Sequence, residues 1–132
     1  RLAETAGAQV VATLSQRLVR KVCPYCREMR EPSVVEAMAY QKEMKEEPKQ
    51  FAYGTGCSFC SHTGFLGRTG VFEMITVTDT IRQLVNREAG SFEIKKQALE
   101  EGLITMRRDG MLKVKAGITT PGEVIRNVFT IG

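Results

Sequence analysis

The 132-residue sequence has no tryptophan, one histidine (His62), three tyrosines and six phenylalanines. With a single histidine no Ser/His/Asp constellation can be assembled, and no paired-carboxylate arrangement stands out, so hydrolytic catalysis has no seat among these residues. No apolar run reaches the ~18 residues that a membrane-spanning helix needs, and no secretory signal precedes the first element. Neither G-x-x-x-x-G-K-[ST] nor G-x-G-x-x-G occurs, which removes the known phosphate-loop designs. Gly64, Gly67 and Gly70 therefore read as turn residues, with Arg68 between them placed to hold a turn or reach a partner. Internal repeats and low-complexity tracts are missing as well.

What remains is 42% apolar content and a formal charge of +4, enough for one globular domain or two small ones. Arg1 is not an initiator methionine, which predicts a piece of a longer polypeptide.

Four cysteines dominate the pattern: Cys23-Pro24-Tyr25-Cys26 and Cys57-Ser58-Phe59-Cys60, with 30 residues between the pairs. A C-x-x-C turn sets two sulfurs on one side of a bend at the span of a tetrahedral ion with Zn–S near ~2.3 Å. Two such turns complete the shell with Cys23, Cys26, Cys57 and Cys60, which predicts a closed, structural zinc site with no position left for substrate. Iron suits four thiolates too, but nothing else points to electron transfer. Taken alone, Cys-Pro-Tyr-Cys resembles a dithiol redox pair, yet that chemistry wants the first cysteine at a helix N-terminus and has no use for a second pair. His62 reads as a turn residue rather than a ligand, and its spacing from Cys57 is one residue too long for haem attachment. The cations Arg17, Arg20, Lys21, Arg27 and Arg30 surround the first turn. A nucleic-acid-binding zinc ribbon is thus an alternative, but a four-thiolate zinc carries about −2 and neighbouring cations neutralise it without an external partner. Nucleic acid is not expected.

Along the chain, Val10, Val11, Leu14, Leu18 and Val22 recur at helical period and predict a helix over about 7–22, closed by Cys23-Pro24. Ser33 with Glu36 is a capping box and predicts an exposed amphipathic helix to about Glu46, an excursion inserted between the cysteine pairs. A short strand over 50–53 enters the second pair, and another covers 71–77. Helices follow over about 80–87 (capped by Asp79), 91–101 (stopped by Gly102), 105–116 (stopped by Gly117 and weakened by Gly110) and 121–129 (Thr120 cap, Pro121, Glu123). The expected class is α+β: a small tetracysteine module with short strands and an inserted helix, then a C-terminal helical bundle. The expected segments are 1–22, 23–77 and 78–132.

Gln16-Arg17-Leu18-Val19-Arg20 leading into Cys23-x-x-Cys26 resembles the C-terminal part of the secretion ATPases of type II secretion and type IV pilus assembly. So do Gly56-Cys57-x-x-Cys60, Thr63-Gly64-Phe65-x-Gly67-Arg68-Thr69-Gly70-Val71-Phe72-Glu73 and Arg107-x-Asp109-Gly110-x-x-Lys113-Val114-x-x-Gly117-Ile118-Thr119-Thr120 with Glu123-Val124. The resemblance covers about 16–128 and leaves residues 1–15 outside. It implies a cytoplasmic homohexameric P-loop ATPase, peripheral to the inner membrane, touching neighbouring subunits, a membrane platform protein and a cytoplasmic adaptor. Residues 1–22 would be the helical tail of its RecA-like core. ATP and Mg²⁺ would belong to the longer parent, and these residues alone would not hydrolyse ATP. Zn²⁺ would sit on the four cysteines.

Overall fold

A computed structural model describes residues 12–129 and shows a mixture of strands and helices. In chain order these are β1 (Ala12–Val22), β2 (Arg27–Arg30), α1 (Val34–Met44), β3 (Phe51–Gly54), β4 (Phe65–Thr76), α2 (Asp79–Asn86), α3 (Ser91–Glu100), α4 (Met106–Lys115) and α5 (Pro121–Asn127). β1 pairs with β4, and β2 pairs antiparallel with β3, setting Arg27 opposite Gly54 and Arg30 opposite Phe51.

The helix expected over 7–22 is a strand from Ala12 onward, so there is no helical tail at 12–22; Val10 and Val11 lie outside the described residues. The apolar stripe is what misled. Leu14 and Leu18 are 63% and 46% exposed, while Val19, off that stripe, is 1% exposed. A few apolar residues fit more than one period, and partnering by a distant strand decides between them. Cys23-Pro24 agrees equally with both readings, because a residue before proline favours extended backbone.

Among the described residues, 12–15 and 73–105 form one compact unit, and 16–72 with 106–129 form another. In the first unit α2 and α3 pack on each other around buried Ile81, Leu84 and Ala98. The cap of α2 is Thr78 rather than Asp79: its hydroxyl accepts from the Ile81 N–H at 3.2 Å and donates to Glu101 at 2.9 Å.

In the second unit α1, α4 and α5 pack mutually, and the core joins Val19, Tyr40, Met44, Phe51, Val71, Met111, Val114 and Val124. The capping box of α1 forms as expected, Glu36 N–H to Ser33 Oγ at 3.2 Å and Ser33 N–H to Glu36 Oε1 at 3.1 Å. The helix stops with Lys45 in the left-handed region, ahead of Pro48. It is no free excursion: Val34, Val35 and Met38 are exposed, but Tyr40 and Met44 are core. Gly110, which costs α4 propensity, earns its place by packing. A Cβ there would lie 2.6 Å from Val124 Cγ1 and 3.4 Å from Val71 Cγ1, so glycine lets α4 and α5 approach.

Candidate metal centre

Each cysteine turn grows out of an extended segment and is tied to the other at both ends. β1 delivers Cys23, and the Cys23 N–H donates to the Gly64 carbonyl at 3.0 Å, just beyond the second pair. At the other end the β2–β3 ladder continues past Gly54: the Thr55 N–H and hydroxyl both donate to the Cys26 carbonyl, at 3.1 and 3.2 Å. The backbones meet so closely that a side chain at Gly54 would collide with Gly64. The second pair turns through a 3-10 helix, Ser58–Cys60.

The four sulfurs lie within 4.8 Å of one another. Cys23 Sγ to Cys57 Sγ and Cys26 Sγ to Cys60 Sγ are both 3.8 Å, and Cys57 Sγ to Cys60 Sγ is 3.7 Å. These are not disulfides, which require about 2.05 Å. They match the edge of a tetrahedron whose centre is ~2.3 Å from each sulfur, which is ~3.8 Å. All four thiols are free; Cys23 and Cys60 are buried, and Cys26 and Cys57 are half-buried. The cluster could hold a metal ion with every position taken by protein.

Backbone amides aim at the sulfurs. Gly56 N–H donates to Cys26 Sγ at 3.2 Å, Cys57 N–H to Cys60 Sγ at 3.3 Å, and Gly64 N–H to Cys60 Sγ at 3.2 Å. Such donors favour the thiolate. Burial resists ionisation of Cys60, but its two N–H donors together with the neighbouring Cys57 and Cys26 thiols outweigh it and hold the thiol down at about 6. Burial pushes Cys57 up to about 11. A divalent ion would bring the whole set to thiolate, since a coordinating thiol is deprotonated outright.

Neither pair is followed by glycine, yet Ser61 and His62 both adopt left-handed backbone, φ 55° and 62°. His62 is exposed, and its N–H donates to the Cys57 carbonyl at 2.7 Å. The imidazole is not part of the sulfur cluster.

The cations near the first turn divide. The Arg20 guanidinium donates to Glu123 at 2.7 Å and lies over the Phe65 ring at 4.1 Å. Arg27 donates to the Gly117 carbonyl at 3.1 Å, and Arg30 pairs with Glu28 at 3.4 Å. Those three are engaged internally; Arg17, Lys21 and Arg68 are exposed.

Sequence reasoning missed three features. Tyr25 and Phe59, at matching places in the two turns, stack at 4.4 Å between centroids while 63% and 66% exposed; their shared position was the available signal. Glu123 stands in the first turn of α5 as expected, but it is also a buried carboxylate bonded to Arg20. The cap on α5 is made by Thr120, which accepts from the Glu123 N–H at 3.2 Å. Likewise Asp109 accepts from the Phe72 N–H at 2.8 Å and pairs with Lys113 at 3.0 Å, tying α4 to β4.

Comparison with known proteins agrees in kind. The family model described as Type II/IV secretion system protein matches residues 3–126, so residues 3–15, expected to fall outside the resemblance, lie within it. The chain is 36% identical over 120 residues to the Type II secretion system ATPase E of Vibrio cholerae, covering 91% of this chain and 24% of that protein. It is 32% identical over 126 residues to the Type IV pilus assembly ATPase TfpB of Acinetobacter baylyi, covering 92% and 21%. Against the Type IV pilus assembly ATPase PilB of Thermus thermophilus it is 36% identical over 121 residues, covering 90% and 14%. The chain thus spans less than a quarter of the length of these relatives. No helix among the described residues is long and apolar enough to cross a membrane.

Proposed function

Because the chain belongs to the Type II/IV secretion system protein family, we propose that it is the zinc-bearing region of an ATPase that powers type II secretion or type IV pilus assembly. Zinc is held by Cys23, Cys26, Cys57 and Cys60 and is structural. The observation that carries this reading is the sulfur geometry: edges of 3.7 and 3.8 Å fit a four-thiolate shell. The donor set supports it too, since N–H groups of Gly56, Cys57 and Gly64 stabilise negative sulfur.

With four protein ligands the ion has no open position, so it supplies folding energy rather than a reacting water. The chain's own residues then bind, orient and seal. β1 and β2 present the first thiol pair, the 3-10 turn presents the second, and Gly54 against Gly64 closes the backbone around them. ATP and Mg²⁺ are bound by motifs of the longer parent, because no phosphate loop occurs in these residues. The parent works in the cytoplasm as a homohexamer at the inner membrane. This region contacts neighbouring subunits, the platform protein or the adaptor, with no nucleic acid involved.

The test is metal content followed by chelation. One zinc per chain is expected after purification without added metal, and a strong chelator abolishes the cooperative thermal transition, restored by zinc. A metal-free chain that melts cooperatively, with Cys23–Cys26 and Cys57–Cys60 recovered as disulfides, contradicts the reading.

A further inference from the structure

Both flanks of the first cysteine turn are gripped by one short segment far away in sequence, the α4–α5 connection and the start of α5. Before the turn, the Arg20 N–H donates to Glu123 Oε1 at 2.8 Å and the Arg20 guanidinium to Glu123 Oε2 at 2.7 Å, across 103 residues. The Arg20 carbonyl accepts from the Thr119 hydroxyl at 2.7 Å, and the Val22 N–H donates to the Ile118 carbonyl at 2.9 Å. After the turn, the Arg27 guanidinium donates to the Gly117 carbonyl at 3.1 Å and lies so close that a side chain at Gly117 would strike it. Thr119 is fully buried and Glu123 is 3% exposed. Arg126 also donates to Glu123 Oε2, at 2.8 Å.

A carboxylate out of water is costly unless paired and hydrogen-bonded. Beside its local partner Arg126, Glu123 reaches across the chain to the backbone and side chain of Arg20, three residues ahead of Cys23. A generic helix tie would need the side chain alone. Gripping the Arg20 N–H and carbonyl as well fixes the peptide planes, and these fix the direction in which β1 enters the turn.

We propose that Glu123, with Thr119, is a positioning residue of the metal centre. It holds β1 through Arg20 so that Cys23 and Cys26 stand in tetrahedral register with Cys57 and Cys60 before the ion arrives. The C-terminal helix α5 and the metal are thereby coupled: an ion that favours the registered turn also favours the docked helix start. The inference rests on the zinc reading above and extends it from the ligands to residues that touch no metal.

The experiment measures Zn²⁺ affinity in the full chain by competition with a chromophoric chelator, together with the ligand-field spectrum of the Co²⁺-loaded protein. The variants are Glu123→Ala, Glu123→Gln, Thr119→Val and, as control, Glu46→Gln. Glu46 carries its own ion pair, to Lys115 at 3.2 Å, and bonds to none of the residues flanking the cysteines. Glu123→Ala lowers Zn²⁺ affinity roughly 10–100-fold, the range for residues that orient ligands. Glu123→Gln and Thr119→Val, which keep side-chain volume and secure a folded comparison, lower it less. Their Co²⁺ complexes keep sulfur-to-metal charge transfer but show displaced ligand-field bands, a change that loss of stability alone does not produce. Glu46→Gln keeps wild-type affinity and spectrum. Wild-type affinity in all three Glu123 and Thr119 variants, or an equal loss in Glu46→Gln, overturns the inference while leaving the zinc site standing. A wild-type chain that takes up no zinc overturns the zinc reading, and this one with it.

Discussion

Cys60 Sγ accepts from two backbone N–H groups, and Glu123 pairs with two arginines; sequence proximity does not reveal these partners equally well. The clustering of the cysteines was legible because each pair sets two sulfurs within one turn, at a spacing of three. Glu123 was not, because its role depends on Arg20, 103 positions away. Its own neighbourhood, Thr120-Pro121-Gly122-Glu123, reads as an ordinary helix start. Burial raises the cost of its charge, but the Arg20 bonds outweigh that and hold the carboxyl below its usual range. The stabilisation is therefore fully present above the unfolded carboxylate value of ~4.3 and is lost as pH falls through the lower folded value. Glu123→Gln is expected to cost about 1–3 kcal/mol near neutral pH, the scale of a buried polar group losing its partners. The gap from wild type, read from denaturant titrations with zinc in excess, narrows as pH falls below about 4; a gap that widens on acidification contradicts the ion pair as its source.

At the scale of elements, helices were readable where their ends carry local chemistry. Ser33 and Glu36 announced α1, Gly102 and Gly117 closed α3 and α4, and Thr120 with Pro121 opened α5. Removing the α1 cap with Ser33→Ala should cost about 1 kcal/mol, measured as a lower unfolding midpoint, with metal content unchanged. β1 was misread because its identity lies in pairing with β4, and a two-stranded partner leaves most of its side chains exposed, erasing the alternation that marks a half-buried strand. Gly110 was readable as a weakness but not as a requirement. In an exposed helix Gly→Ala gains up to about 1 kcal/mol. Here the new Cβ meets the stiff, fully buried Val124 at 2.6 Å, and overpacking costs about 1–3 kcal/mol. Gly110→Ala is therefore expected to lower the melting temperature; a rise would mean that α4 and α5 part without penalty.

For the molecule as a whole, the mixed class and the four-sulfur cluster followed from sequence. Among the described residues α4 and α5 share a core with α1 and the strands that bear the cysteines, whereas α2 and α3 group with the end of β4. Such a division is set by which segments close on each other across long stretches of chain, and composition along the chain carries no record of it. The residues of α4 and the α4–α5 connection that carry the resemblance take on a physical meaning in this light. Asp109 ties to β4, Gly110 admits α5, and Gly117, Thr119 and Glu123 hold the entrance to the first cysteine turn. The measurement that bears most directly on the account is X-ray absorption at the zinc edge of the chain purified without added metal. Four sulfur scatterers at about 2.3 Å and no nitrogen or oxygen in the shell are predicted, and a shell containing a nitrogen from His62, or a chain holding no zinc, would contradict it.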